Sequence, residues 1–195
     1  LDAQSCMLSH VKAGDVFYDI GAKSGFFTML ASQLVGNSGK VIAFEPLPDN
    51  VSRVERLLTA NQVKNVRVVP EAISAEKGTA ELYVSNDTST PTLIQRPDNQ
   101  AITVPTTTLD AAAASYQRPN FVKMDIEGAE VMALAGATEL LASAPAITWL
   151  IECHSAMLEE QVTEALQKHG YHTRILLPPY VRGRNTERHL FAWKD

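Results

Sequence analysis

Cysteine is scarce in this chain: there are two in 195 residues, Cys6 and Cys153. That rules out a disulfide framework, and the lack of a C-x-x-C pair or a Cys/His cluster leaves no basis for a thiolate metal site. Buried free thiols in a reducing compartment are expected, and with them a cytoplasmic location. No apolar run approaches the ~20 residues that span a bilayer. No charged-then-apolar leader is visible, although the chain begins at Leu1 rather than Met. Positive charge is also short, with 17 Lys and Arg against 22 Asp and Glu, a net charge of −5. A non-specific nucleic-acid binder needs a basic face to neutralise phosphates, so neither nucleic acid nor membrane is the expected partner. A small-molecule or glycan ligand remains.

The rest of the composition is ordinary. Hydrophobic residues make up 45% and charged residues 20%, enough for one soluble domain over residues 1–195 with a proper core. There is no internal repeat and no low-complexity tail. A short N-terminal helix is expected at about 2–12. Strands then alternate with helices: Val16 to Ile20, a helix over 24–35, Lys40 to Glu45, a helix through Val51, Val54, Leu57 and Leu58, and Val66 to Pro70. Asp49 or Asn50 is the expected cap of the second of these helices. Such alternation predicts an α/β fold, a mostly parallel sheet with helices on both faces.

The pattern then changes. Residues 71–74 and 80–84 flank Glu76-Lys77-Gly78-Thr79, which predicts a hairpin. Residues 85–100 are polar and turn-rich, the length of loop that is usually functional, and form the candidate substrate cover. Ile102 to Val104 reads as a short edge strand, and Thr107 or Thr108 as a helix start. Asn120 to Asp125 and Ile147 to His154 are further strands, each followed by a helix. Tyr171 to Leu177 and Leu190 to Trp193 are expected to pair antiparallel at the sheet edge, around a turn-rich loop at 178–185.

Two glycine signatures are missing. The phosphate-cradling G-x-x-x-x-G-K-[ST] fails at Phe17 and Ala22, and the dinucleotide G-x-G-x-x-G is reduced to G-x-x-x-G. What is present is Asp19-Ile20-Gly21-Ala22-Lys23-Ser24-Gly25, a strand running through a glycine turn into a helix. This frames an S-adenosylmethionine (SAM) turn, with an acid before the first Gly and Lys23 at the central position; a structural turn with no ligand is the bland alternative. Ligands of open parallel sheets bind at the carboxyl ends of the strands. Acids stand there throughout: Asp19, Glu45, Glu71, Asp125 with Glu127 and Glu130, and Glu152 beside His154. A carboxylate at a buried rim needs a partner, so hydroxyl-rich or cationic ligands are expected. Glu45 is placed to take two ribose hydroxyls. Asp125, Glu127 and His154 are the candidate general bases. Three nearby carboxylates suit Mg²⁺ or Ca²⁺, but no further oxygen ligands are in view and no metal is expected.

Taken together, the residues resemble the FkbM-type branch of the class I SAM-dependent methyltransferases, over about residues 12–194. The likeness runs through Val16 to Gly25 and Val41 to Pro46, and is sharpest over Thr108-Leu109-Asp110, Val122-Lys123-Met124-Asp125-Ile126-Glu127-Gly128-Ala129-Glu130 and Leu134 to Ala137. It implies a Rossmann-like domain that uses SAM to methylate an acceptor, expected to be a hydroxyl oxygen of a small molecule or sugar. Asp19, Gly21 and Gly25 would form the SAM turn, with Ala22 and Lys23 by the methionine part. Glu45 would bind the ribose, Pro46 would flank the adenine, Glu71 and Ala72 would border its edge, and Asp125 would sit near the sulfonium. Lys23 stands where the family usually has Asn, and a Lys there can face the SAM carboxylate. The alternatives are an NAD-dependent oxidoreductase, disfavoured by the missing fingerprint, and a non-catalytic SAM-fold binding protein.

Overall fold

The computed structural model describes residues 2–84, 91–95, 100–143, 147–176 and 188–194. Most of the candidate cover at 85–100, and the loop at 178–185, lie outside the described residues.

A seven-stranded sheet forms the centre. Its strands are β1 (Val16–Ile20), β2 (Lys40–Phe44), β3 (Val66–Val69), β7 (Phe121–Met124), β8 (Thr148–Cys153), β9 (His172–Leu176) and β10 (Arg188–Trp193), in the order β3-β2-β1-β7-β8-β10-β9. Strands β3 to β8 of that order run parallel, while β10 is antiparallel to both neighbours, giving the expected antiparallel edge. All five residues of β1 are buried, as a central parallel strand covered on both faces requires.

Side chains alternate between the two faces. Tyr18, Ile20, Phe44, Met124 and Trp149 enter one core with α4 (Leu109–Tyr116), α5 (Glu130–Ala135), α6 (Thr138–Ala142) and α7 (Ala156–Lys168). Phe17, Val41, Phe121 and Leu150 face the other way, against α1 (Ala3–His10) and α2 (Phe26–Val35). Phe17 and Phe121 stack across β1 and β7 with ring centroids 5.2 Å apart. Helix α3 (Pro48–Ala60) adds Val54 and Leu58 to a smaller cluster with Ala22 and Ala43. It begins earlier than expected, with Pro48 in its first turn and no side-chain cap. Proline's fixed φ suits that position and its missing N–H costs nothing there, while Asn50 is buried instead.

The region after β3 departs from expectation. β4 (Ala72–Ile73) and β5 (Gly78–Val84) do not form a hairpin; β6 (Gln100–Thr107) lies between them, parallel to β4 and antiparallel to β5. The segment read as an edge strand is therefore the middle of a second, three-stranded sheet. Pro105 is tolerated because β4 reaches no further than Thr106 and Thr107, which leaves one side of Pro105 without a neighbouring strand.

Candidate active site

Strand order reverses between β1 and β7, so a crevice opens beyond their carboxyl ends. The glycine turn sits there. Gly21 and Ala22 donate to the Phe44 carbonyl at 3.0 and 3.1 Å, and Gly25 donates to the Ala22 carbonyl at 2.7 Å. Gly21 has φ +82°, and a Cβ on it would stand 2.0 Å from the Asp125 carbonyl oxygen. Both facts demand glycine at this point.

Asp19 supports the turn from behind and is fully buried. Its Oδ2 accepts from the Thr28 hydroxyl at 2.6 Å. Its Oδ1 has no hydrogen bond and faces the Lys123 ammonium at 3.6 Å, an ion pair rather than a hydrogen bond. Burial raises the Asp19 pKa against the opposing pull of Lys123. Lys123 also donates to the Gly21 carbonyl at 3.4 Å and lies 4.9 Å from the Phe27 ring centroid.

A cavity opens in front of the turn, between Gly21, Lys23, Glu45, Pro46, Glu71, Ala72 and Asp125 and the apolar walls of Phe44, Ile73, Leu82, Leu93 and Ile126. Glu45 is buried at its edge. It accepts from the Lys23 N–H at 2.8 Å and the Leu47 N–H at 3.0 Å. Burial is the main influence on its pKa, which is raised.

Beside the cavity, Lys23 Nζ meets Asp125 Oδ2 at 3.0 Å and Glu127 Oε1 at 2.6 Å. His154 Nε2 lies 3.1 Å from Asp125 Oδ1, and its Nδ1 lies 3.8 Å from Glu127 Oε2. Burial would raise the Asp125 pKa, but His154, Lys123 and Lys23 outweigh it and hold the carboxyl well below the usual range. The hydrogen bond to Asp125 carries the His154 pKa up to about 9 against the effect of burial. Burial pulls Lys23 down, yet its two carboxylates more than offset that and the net shift is upward. Asp19, Asp125 and Glu127 thus have cationic partners within the chain. Ligating atoms of Asp125, Glu127 and His154 all lie within 4.8 Å of one another, a spacing that suits a metal ion, but the ammonium of Lys23 sits between the two carboxylates.

The structure gathers Gly21, Lys23, Glu45, Pro46, Glu71, Ala72 and Asp125 around one cavity, with Glu127 and His154 joined through the ion-pair network. Ala22 and Gly25 face α3 instead, Ala22 beside Ala43, Val54 and Leu58 and Gly25 toward Leu57 and Val54. Lys23 faces Asp125 and Glu127. Sequence reasoning passed over Lys123, although a lysine inside an apolar strand was the available signal. It named Glu130 only as a rim acid; the residue is buried and accepts from the Ile126 and Gly128 N–H groups at 3.1 and 3.3 Å, fastening the exit loop of β7. Thr92 was missed too. Its hydroxyl donates to the Glu127 carbonyl at 2.8 Å, and no spacing rule marks it.

Residues 19–173 match the family model of the methyltransferase FkbM domain. The chain belongs to this family. It is 27% identical over 179 residues to the hexuronic acid methyltransferase AglP of Haloferax volcanii, covering 89% of this chain and 70% of that protein. Over 64 residues it is 33% identical to protein-L-isoaspartate O-methyltransferase 2 of Archaeoglobus fulgidus, covering 33% of this chain and 29% of that protein. Among solved structures, the methyltransferase FkbM from Methylobacillus flagellatus superimposes with a TM-score of 0.66 at 17% identity. That likeness covers 91% of this chain and 43% of that one. The matched part of the chain spans less than half the length of the isoaspartate enzyme and of the FkbM structure.

The methyl donor of FkbM methyltransferases is SAM, and the donor set fits it. An adenosyl group needs an apolar slot for the base, a carboxylate for vicinal hydroxyls and close access to backbone. The walls at Phe44, Ile73, Leu82 and Ile126, the Glu45 carboxylate and the glycine turn supply these in one cavity.

Proposed function

We propose that this chain is a SAM-dependent methyltransferase that methylates an oxygen of a small molecule or sugar, working as a single domain. The observation that carries the reading is the cavity at the β1/β7 switch point, which joins a glycine turn, a buried ribose-type carboxylate and an apolar slot. SAM, when bound, supplies a methyl group on a sulfonium. Glu45 is assigned to the ribose hydroxyls, Pro46 and the apolar walls to the adenine, and Glu71 and Ala72 to its edge. Asp19 and Lys123 hold the turn in shape from below. Asp125, fixed by Lys23, Lys123 and His154, is assigned a place beside the reacting centre, where positioning carries much of the rate.

The sugar class draws support from the hexuronic acid methyltransferase, whose likeness extends over most of this chain. The net charge of −5 supports a small acceptor over nucleic acid. Among the described residues no helix is long and apolar enough to cross a membrane. Cys6 and Cys153 are buried free thiols, in keeping with a reducing, cytoplasmic setting. The test is incubation with methyl-labelled SAM and a mixture of neutral and acidic sugars. Label should appear in the sugar fraction; label that never leaves SAM, with tight SAM binding, would favour the non-catalytic alternative.

A further inference from the structure

Methylation of a hydroxyl requires a base to take its proton. The three groups placed to act as that base each face an opposite charge at both heteroatoms. Asp125 Oδ1 meets His154 at 3.1 Å, and its Oδ2 meets Lys23 at 3.0 Å and Lys123 at 3.8 Å. Glu127 meets Lys23 through Oε1 at 2.6 Å and His154 through Oε2 at 3.8 Å. Both ring nitrogens of His154 therefore face carboxylates. Asp19, Asp125 and Glu127 are set against Lys23, Lys123 and His154, three acids against three bases.

Its members are not equally exposed. The side chains of Lys23 and His154 are 30% and 20% exposed, those of Asp125 and Glu127 9% each, Lys123 3% and Asp19 0%. The open side of the network is cationic and the carboxylates lie beneath it. The N–H groups on that open edge are charged donors that an anion can accept from.

We infer that the acceptor is a carboxylate, received by Lys23 and His154, and that the product is a methyl ester; the inference rests on the methyltransferase reading above. An oxygen of the acceptor carboxylate forms the new O–C bond as the S–C bond breaks. The electron pair of the broken bond stays on sulfur, and no proton leaves the acceptor. No base is needed, which suits a network whose candidate bases are all engaged. His154, raised to about 9, keeps its charge through neutral pH. The methionine carboxylate of the donor has the same chemistry as the acceptor's, and the experiment separates the two.

The chain is incubated with methyl-tritiated SAM and matched pairs of sugars, such as p-nitrophenyl glucuronide with p-nitrophenyl glucoside and the galacto equivalents. Label should enter the uronides alone and be released as methanol by mild alkali, as an ester is and an ether is not. Label on a neutral glycoside, or alkali-stable label on a uronide, overturns the inference. So does the absence of transfer to every uronide by a chain that binds SAM in calorimetry. A chain that binds no SAM instead overturns the underlying reading. A second readout needs no turnover: the chain loaded with demethylated SAM is titrated with p-nitrophenyl glucuronide. Lys23→Met and His154→Gln should each weaken the glucuronide by about tenfold, and by more than they weaken the demethylated cofactor. Loss of cofactor affinity with glucuronide binding unchanged assigns the two cations to the donor's carboxylate and overturns the inference.

Discussion

His154 holds its proton through neutral pH because Asp125 accepts from it, with Glu127 and Glu130 adding negative potential around the ring. Its folded pKa of about 9 stands above the ordinary 6.5, so the stabilisation is complete below about pH 6.5 and is lost as pH rises through 9. Melting temperatures measured from pH 6 to pH 9.5 should fall for the native chain, and His154→Gln should flatten that fall. An equal slope in both would show that another group controls it. Gly21 makes a different kind of demand. A Cβ there would meet the Asp125 carbonyl oxygen at 2.0 Å on a backbone at φ +82°, whereas one on Gly170, at φ +81°, would meet nothing within 4 Å. Gly170→Ala should cost about 1 kcal/mol from backbone strain, and Gly21→Ala about 3 kcal/mol or more. Urea unfolding of the two variants compares them directly, and equal losses would contradict the close approach of β1 and β7. Much at this scale was legible: Asp19, Gly21, Glu45 and Asp125 stand out as acids and glycines at the ends of apolar strands. Their partners were not legible, because Lys23–Asp125 and Lys123–Asp19 join residues about a hundred positions apart.

The elements divide along the same line. β1, β2, β7 and β8 were readable because buried parallel strands leave continuous apolar runs. The second sheet was not. β4 is two residues long, and β6 pairs with it and with β5 across wide gaps in sequence, which local pattern does not encode. This sheet brings Leu82 to the cavity wall, and Thr92 extends it through its bridge to Tyr83. Thr92 then fastens the β7 exit loop, where Glu127 and Gly128 have φ +56° and +105°. Its hydroxyl also accepts from the Ile94 N–H at 3.1 Å. Thr92→Val strips both contacts from a buried site and should cost about 1–3 kcal/mol locally. Hydrogen exchange should speed up at residues 91–95 and 126–129, with β1 and β7 unchanged. Unaltered exchange in the β7 exit loop would show that Thr92 does not hold it.

The whole molecule has one crevice that its topology singles out. The chain winds outward from β1 to β3, returns across the sheet to β7, and so leaves the ends of β1 and β7 facing a shared opening. The glycine turn, Glu45 and the Asp125 network converge there from three separate segments of the sequence. The central claim is that this opening is a SAM site, and thermal unfolding with saturating SAM, demethylated SAM or NAD tests it most directly. A ligand at about a hundred times its dissociation constant adds roughly 2.7 kcal/mol to the folded state. For a chain of this size that raises the midpoint by about 5–10 °C. The account predicts this rise with SAM and with its demethylated product, and none with NAD. A rise with NAD alone, or no rise with either form of SAM, would contradict it.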